Sequence, residues 1–134
     1  MRKLVIDVRP DEYTVLRLDP ATPVPAELFD SAGMISVIRT ETELSVVCHS
    51  GPAQRLDAQR AETGWRLLTV RGPLEFSLTG IMAMLAGTLA AAGVGLFALS
   101  SFDTDHVLVK DSDLDRAVTA FREAGHEINA LTGE

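Results

Sequence analysis

The chain has 134 residues, 46% of them hydrophobic and 23% charged, a composition that suits one folded domain with a hydrophobic core. Its formal net charge is -7 at pH 7, and no cluster of Lys and Arg provides the basic surface that nucleic acid or an anionic membrane requires. The single cysteine, Cys48, excludes an intramolecular disulfide and gives no sign of an oxidising compartment.

The first half of the sequence predicts strands and little helix. Charged residues between Asp7 and Glu12 interrupt any apolar stretch long enough for a signal peptide, so we expect a cytoplasmic protein. Residues 13–18 alternate apolar and polar side chains as a half-buried strand does, and residues 34–38 with 44–47 indicate a hairpin. Three prolines between residues 20 and 25 leave room for at most two helical turns over residues 26–31.

The second half contains a run without any charged residue, from residue 78 to residue 102. Its length approaches that of a spanning helix, but Ala, Gly and Thr dominate it, and neither basic residues nor an aromatic pair flank it. Gly93 and Gly95 divide the run into a helix, capped by Ser77 or Thr79, and a strand over residues 96–99. We therefore predict a soluble fold without a membrane span.

Further elements surround this helix and strand. A strand over residues 65–70 precedes the helix. After a polar turn come a returning strand over 106–109, an amphipathic helix over 112–124 and an edge strand over 127–131. The order is βαββαβ, which predicts an α+β, ferredoxin-like sandwich.

Two units of unequal size follow from this pattern. Residues 1–60 form a truncated half with the order strand, short helix, strand, strand, and residues 65–131 form a complete βαββαβ unit. A polar segment over 51–64 connects them. Because the truncated half is too small to be stable alone, we expect one cooperative unit.

Residues with reactive side chains form no catalytic group in the sequence. Cys48 and His49 are neighbours in a predicted strand and face opposite sides, so we expect a buried thiol and a surface imidazole. Ser100 and Ser101 have no visible base that would activate them. We therefore expect neither enzymatic activity nor a cofactor.

One acidic turn offers the ligand types of a metal site. Asp103, Asp105 and His106 could hold a divalent cation, which keeps a small metal enzyme as a third hypothesis. Neighbouring side chains of an extended segment point in different directions, however, and this favours a solvated turn without a metal. One of these carboxylates could equally pair with the ammonium group of a ligand.

The turn between residues 70 and 80 precedes the predicted helix. Free N–H groups and the dipole at a helix start can bind an anion or a carboxylate. The turn lacks the spacing of a P-loop or of a dinucleotide fold. The alternative to a binding loop is a tight turn that requires Gly72.

Four segments together resemble the ACT-domain superfamily: 68–74 (LTVRGPL), 79–81 (TGI), 91–94 (AAGV) and 98–109 (ALSSFDTDHVLV). The sequence is most similar to ACT pairs of the aspartate-kinase type and to cytosolic arginine sensors of the CASTOR type, over residues 67–126. Residues 36–48 are similar to the hairpin of the companion half. The resemblance implies an incomplete and a complete ACT unit that bind a small effector, often an amino acid, where two units meet.

The resemblance also implies which residues hold the ligand. The strand-to-helix turn would contribute Gly72, Glu75, Phe76, Ser77, Thr79 and Gly80. The segment around the acidic turn would contribute Ser100, Ser101, Phe102, Thr104 and Asp105. From the front hairpin, Val37, Ile38 and Arg39 would lie nearest. Asp105 would pair with the ammonium group while the helix-start amides receive the carboxylate, and Glu75 or Arg39 would contact the side chain.

These inferences predict a regulatory, allosteric protein that binds an amino acid, needs no metal, and signals through a protein partner or through assembly. The resemblance implies a site between two ACT units, and if such a site needs two units face to face, we expect a homodimer that completes it. The alternative is a homo-oligomerisation module whose ligand pocket is vestigial.

Overall fold

The structure, a computed structural model, describes residues 3–72, 74 and 80–132. The contacts between residues divide this part of the chain into two compact units. Residues up to Pro10 join the residues from Arg66 onward, and we call this the discontinuous unit. Residues 11–65 form the second, the inserted unit.

The described residues form strands and α-helices in the following order: β1 (Val5–Val8), β2 (Tyr13–Leu18), β3 (Ser36–Arg39), β4 (Leu44–His49), α1 (Ser50–Ala53), β5 (Arg60–Val70), α2 (Ile81–Ala91), β6 (Phe97–Ser100), β7 (Asp105–Lys110), α3 (Leu114–Glu123) and β8 (Glu127–Ala130). Short 3-10 helices cover Ala26–Asp30 and Asp111–Asp113. The predicted α+β class and the βαββαβ order from β5 to β8 are confirmed.

In the discontinuous unit the strand order is β8, β1, β5, β7 and β6. Alternate residues of these strands, among them Ile6, Leu68 and Val107, turn their side chains toward one core. Helices α2 and α3 contribute residues at helical spacing to the same core, including Leu85, Leu89, Ala117 and Phe121. The helices therefore cover one face of the sheet.

Helix α2 ends where the sequence predicts. Gly93 has a φ of +73°, and the N–H of Val94 donates to the carbonyl of Leu89 at 2.9 Å. In the described part of the chain, no helix is both long enough and apolar enough to cross a membrane.

Strand β1 was not predicted, because Asp7 places a charge in the middle of a short apolar segment. Asp7 is nevertheless only 7% exposed. Arg71 compensates for this burial with two hydrogen bonds, from Nη2 to Oδ1 at 2.7 Å and from Nε to Oδ2 at 3.2 Å. The sequence-based boundary therefore differs from the structure, since the first ten residues belong to the discontinuous unit and not to a half over residues 1–60.

In the inserted unit the strand order is β3, β4, β2 and the first part of β5. The predicted connecting segment over 51–64 contains most of α1 and the start of β5, which begins five residues earlier than predicted. Residues 60–63 are all exposed, so their side chains show no alternation, and pairing with β2 makes them a strand. The predicted helical turns over 26–31 are a 3-10 helix over Ala26–Asp30.

His49 is not the surface residue that the sequence predicted. It is half-buried, and its ring meets the ring of Tyr13 edge-on, with centroids 4.6 Å apart. Gly33 lies directly against both rings, and a Cβ there would be 2.5 Å from Nε2 of His49 and 2.6 Å from the hydroxyl of Tyr13. The aromatic contact is available because residue 33 has no side chain.

Cys48 is buried, as predicted, and burial raises the pKa of its thiol to about 11. Because the thiolate is the reactive species, the native protein is expected to resist Ellman's reagent at neutral pH. The urea-unfolded chain is expected to release one equivalent of the coloured thiolate, and absorbance measures both reactions. Rapid stoichiometric labelling in native buffer would contradict the burial of this thiol.

Candidate functional site

A cleft of about 310 Å³ lies in the discontinuous unit. Three segments line it: Leu74, the start of α2 with Gly80, Ile81 and Met82, and the loop between β6 and β7 with Ser100, Ser101, Phe102, Asp103, Thr104 and Asp105. Its volume is at the lower end of the range for small-molecule sites.

The start of α2 gives the cleft a positive end. Gly80 precedes the helix with a φ of +80°, which a residue without a side chain adopts readily, and its carbonyl accepts from the N–H of Met84 at 2.8 Å. The N–H groups of the first turn have no carbonyl partner within the helix, and the helix dipole adds partial positive charge there. This end of the cleft therefore suits a carboxylate or another anion.

The loop between β6 and β7 gives the cleft a negative end. The N–H of Ser101 donates to the carbonyl of Thr104 at 2.9 Å and closes the turn. Asp105 is half-buried, and the hydroxyl of Ser100 donates to its Oδ1 at 2.5 Å. The carboxylate is thus fixed in place and keeps further lone pairs that a ligand ammonium group can use.

The end of β5 holds the same loop from the other side. The hydroxyl of Thr104 donates to the carbonyl of Val70 at 2.6 Å, and the N–H of Leu74 donates to the carbonyl of Asp103 at 2.6 Å. A Cβ on Gly72 would lie 3.0 Å from that carbonyl oxygen, so a glycine permits the close approach. Gly72 does not line the cleft, but its lack of a side chain lets β5 approach the loop that does.

His106 lies beneath this loop with both ring nitrogens occupied. Nε2 is 2.9 Å from the hydroxyl of Ser101, and Nδ1 is 3.0 Å from the hydroxyl of Thr69. Burial lowers the pKa of His106, Asp105 opposes this effect, and Arg9 adds to it. The imidazole is therefore neutral at neutral pH and orients Ser101.

One expectation about this loop changes. Ser101 does have a base within hydrogen-bond distance, because the turn brings His106 back to it. The imidazole is oriented by a neutral hydroxyl and not by a carboxylate, so the arrangement lacks the acid of a catalytic triad. Among the described residues, no group of three His, Cys, Asp or Glu side chains could hold a metal ion.

Stability is expected to fall on mild acidification, because burial lowers the pKa of both His106 and His126. In the unfolded chain these histidines have the ordinary pKa of about 6.5, so below that pH the unfolded state binds more protons than the native state does. The free energy of unfolding therefore decreases with falling pH. Above that pH the two residues contribute no pH dependence. Urea unfolding at about pH 7.5 and about pH 5.5 measures the difference.

His126→Gln is expected to reduce this pH dependence. Nδ1 of His126 accepts a hydrogen bond from the N–H of Leu4 at 3.0 Å, which a protonated ring could not do. An equal loss of stability on acidification in the wild type and in this variant would contradict the assignment.

The cleft brings together six of the predicted ligand residues: Gly80, Ser100, Ser101, Phe102, Thr104 and Asp105. Glu75, Phe76, Ser77 and Thr79 lie outside the described residues. Val37, Ile38 and Arg39 are exposed on β3 of the inserted unit. Sequence reasoning missed Leu74, Ile81 and Met82, although their positions next to predicted residues on the turn and at the helix start were a usable signal, and it considered Asp103 only as an alternative partner for an ammonium group or a metal.

Known proteins share this architecture. A family model described as an ACT domain matches residues 60–123, and a second model, described as an N-terminal domain, matches residues 11–52. The human protein named cytosolic arginine sensor for mTORC1 subunit 1 is 38% identical over 55 residues. That match covers 40% of this chain and 17% of the sensor, so the chain spans only a small part of the relative's length.

Two solved structures match over at least 90% of the chain. A protein from Agrobacterium tumefaciens is 31% identical, with a TM-score of 0.86 and coverage of 100% of this chain and 98% of that one. The regulatory subunit of aspartate kinase from Thermus thermophilus has a TM-score of 0.61 and is 15% identical, covering 90% of this chain and 94% of that one. The second likeness shows a shared fold. The family match, the structural similarity and the predicted motifs together show that the chain belongs to the ACT-domain superfamily.

Proposed function

We propose that the chain is a cytoplasmic, non-catalytic regulatory protein that binds a free amino acid in the cleft of its discontinuous unit. One observation carries this proposal: the carboxylate of Asp105 and the first turn of α2 line the same cleft. A zwitterion has one charge for each of these ends. The ammonium group pairs with Asp105, and the carboxylate faces the backbone amides of α2.

The rest of the lining supplies the remaining contacts. The hydroxyls of Ser101 and Thr104 offer hydrogen bonds, and Leu74, Ile81 and Met82 offer apolar contacts for the ligand's carbon skeleton. A volume of about 310 Å³ accommodates a single amino acid. The relative named as an arginine sensor supports this ligand class.

A homodimer is part of the proposal. Phe102 lies at the cleft and is 79% exposed, which is unusual for a large apolar side chain. A second copy that covers Phe102 would close the cleft and remove this surface from water. Sedimentation at several protein concentrations, with and without the amino acid, measures this association.

Asp105→Asn is expected to weaken amino-acid binding by about tenfold to a hundredfold, since a hydrogen bond to a charged group contributes about 1.5–3 kcal/mol. The substitution keeps the size of the side chain and an oxygen that can accept from Ser100, so the fold is expected to persist. Saturation-transfer NMR on a mixture of the twenty amino acids identifies the ligand, and calorimetric titration gives both affinities.

Asp111→Asn is the matched control, because Asp111 pairs with Arg66 on the exposed surface and does not line the cleft. Equal affinities in wild type, Asp105→Asn and Asp111→Asn would contradict the proposed site. Absence of binding by every amino acid to the wild type would favour an oligomerisation module.

A further inference from the structure

The inserted unit contains a second cavity, of about 700 Å³, which no sequence prediction covers. It lies between the 3-10 helix Ala26–Asp30 with the two residues after it, the end of β4 at His49, and the segment of α1 that continues to Leu56. Its volume is within the range of small-molecule sites and is more than twice that of the cleft described above.

The cavity follows from the shortness of the helical segments in this unit. The 3-10 helix has 5 residues and α1 has 4, whereas α2 and α3 of the discontinuous unit have 11 and 10. An α-helix rises about 1.5 Å per residue and a 3-10 helix about 2.0 Å, so these short segments cover little of the sheet surface. Space that long helices fill in one unit is left open in the other.

The lining combines an apolar floor with three charges. Leu28 is buried, and Leu56 is half-buried beside it. Glu27, Asp30 and Arg55 are exposed around the opening. Among the described residues, none of these three has an ion pair or a hydrogen bond through its side chain. One guanidinium and two carboxylates of the lining are thus available to bind a ligand in this cavity.

His49 adds a polar group to this lining. Its Nε2 is buried and has no hydrogen-bond partner among the described residues. Buried polar atoms usually have a partner, so an unsatisfied nitrogen in this lining favours a polar occupant over an apolar one.

We propose that this cavity binds an uncapped zwitterion of about dipeptide size with an apolar side chain. Arg55 receives the ligand's carboxylate, Glu27 and Asp30 receive its ammonium group, and the side chain packs on Leu28 and Leu56. A phosphate or dicarboxylate is disfavoured, because two lining carboxylates repel it and only one cation attracts it. The volume favours a molecule larger than the single amino acid proposed for the cleft.

Titration of the ¹⁵N-labelled full chain with the dipeptide Ala-Leu tests this proposal. Saturable shifts are expected at the amides of Leu28, Ser31 and Leu56, and the same shifts are expected in Asp105→Asn, which disables the proposed amino-acid site. N-acetyl-Ala-Leu and Ala-Leu amide each lack one terminal charge. Both are expected to bind at least about tenfold more weakly, as is Ala-Leu to Arg55→Gln.

The matched control is Arg60→Gln, because Arg60 is also exposed but lies on β5 outside the cavity lining. It is expected to bind Ala-Leu as the wild type does. No saturable shift at these amides, equal binding of the capped peptides, or unchanged binding by Arg55→Gln would overturn the proposal. Shifts confined to Ser100 through Asp105, lost in Asp105→Asn, would also overturn it and assign the dipeptide to the other cleft.

Discussion

Gly33→Ala is expected to lower the free energy of unfolding by about 3 kcal/mol. Residue 33 has a φ of +84°, a conformation that costs a residue with a Cβ about 1–2 kcal/mol. The new methyl group would also lie 2.5 Å from Nε2 of His49 and 2.6 Å from the hydroxyl of Tyr13. Tyr13 is fully buried and cannot withdraw, so relieving this overlap requires movement of packed side chains or backbone.

Urea unfolding followed by the fluorescence of Trp65 measures this loss. Gly51→Ala is the control, since a Cβ at Gly51 meets no atom within 4 Å and the residue lies in α1. There the substitution is expected to change stability by no more than about 0.5 kcal/mol, because the helical preference of alanine is opposed by its position directly before Pro52. A loss in Gly33→Ala no larger than the change in Gly51→Ala would contradict the described contact between Gly33 and the two rings.

Phe121→Ala is expected to cost about 3–5 kcal/mol of stability, the usual range for removing a buried aromatic side chain. Phe121 lies on the inner face of α3 and is completely buried among residues from the strands and from α2. Its ring also meets the ring of His126 edge-on, with centroids 6.3 Å apart. The truncation therefore opens a cavity between the helices and the sheet of the discontinuous unit.

Phe29→Ala serves as the comparison for this loss. Phe29 is 61% exposed, so its truncation removes little buried surface and is expected to change stability by no more than about 0.5 kcal/mol. Similar losses in the two phenylalanine variants would show that α3 is not packed as described.

The sequence was informative wherever periodicity and turn residues agreed. The stripe of Leu85 and Leu89, ended by Gly93, defined α2, and the alternation in residues 13–18 defined β2. Strand β1 was not predicted, because its central Asp7 is paired with Arg71, 64 positions away, and no local pattern reveals so distant a partner. The start of β5 was not predicted, because it is a strand through its pairing with β2 and not through burial of alternate side chains.

The candidate site could likewise be predicted from the sequence only in part. Ser100 and Asp105 are neighbours because β6 and β7 form a hairpin, and the predicted turn was enough to bring them together. The contact between Ser101 and His106 depends on the register of that hairpin, in which Leu99 pairs with His106. The cavity of the inserted unit depends on how much of the sheet its short helices leave open, and this is a three-dimensional property.

The discontinuous unit is proposed to bind a free amino acid between Asp105 and the start of α2. The most direct measurement is the thermal unfolding midpoint of the full chain with each of the twenty amino acids at millimolar concentration. A ligand that binds only the native state raises the midpoint, and the rise grows with the logarithm of its concentration. We expect one or two amino acids to do so, with a smaller rise in Asp105→Asn and an unchanged rise in Arg55→Gln. A midpoint unchanged by all twenty, or a rise that persists undiminished in Asp105→Asn, would contradict the claim.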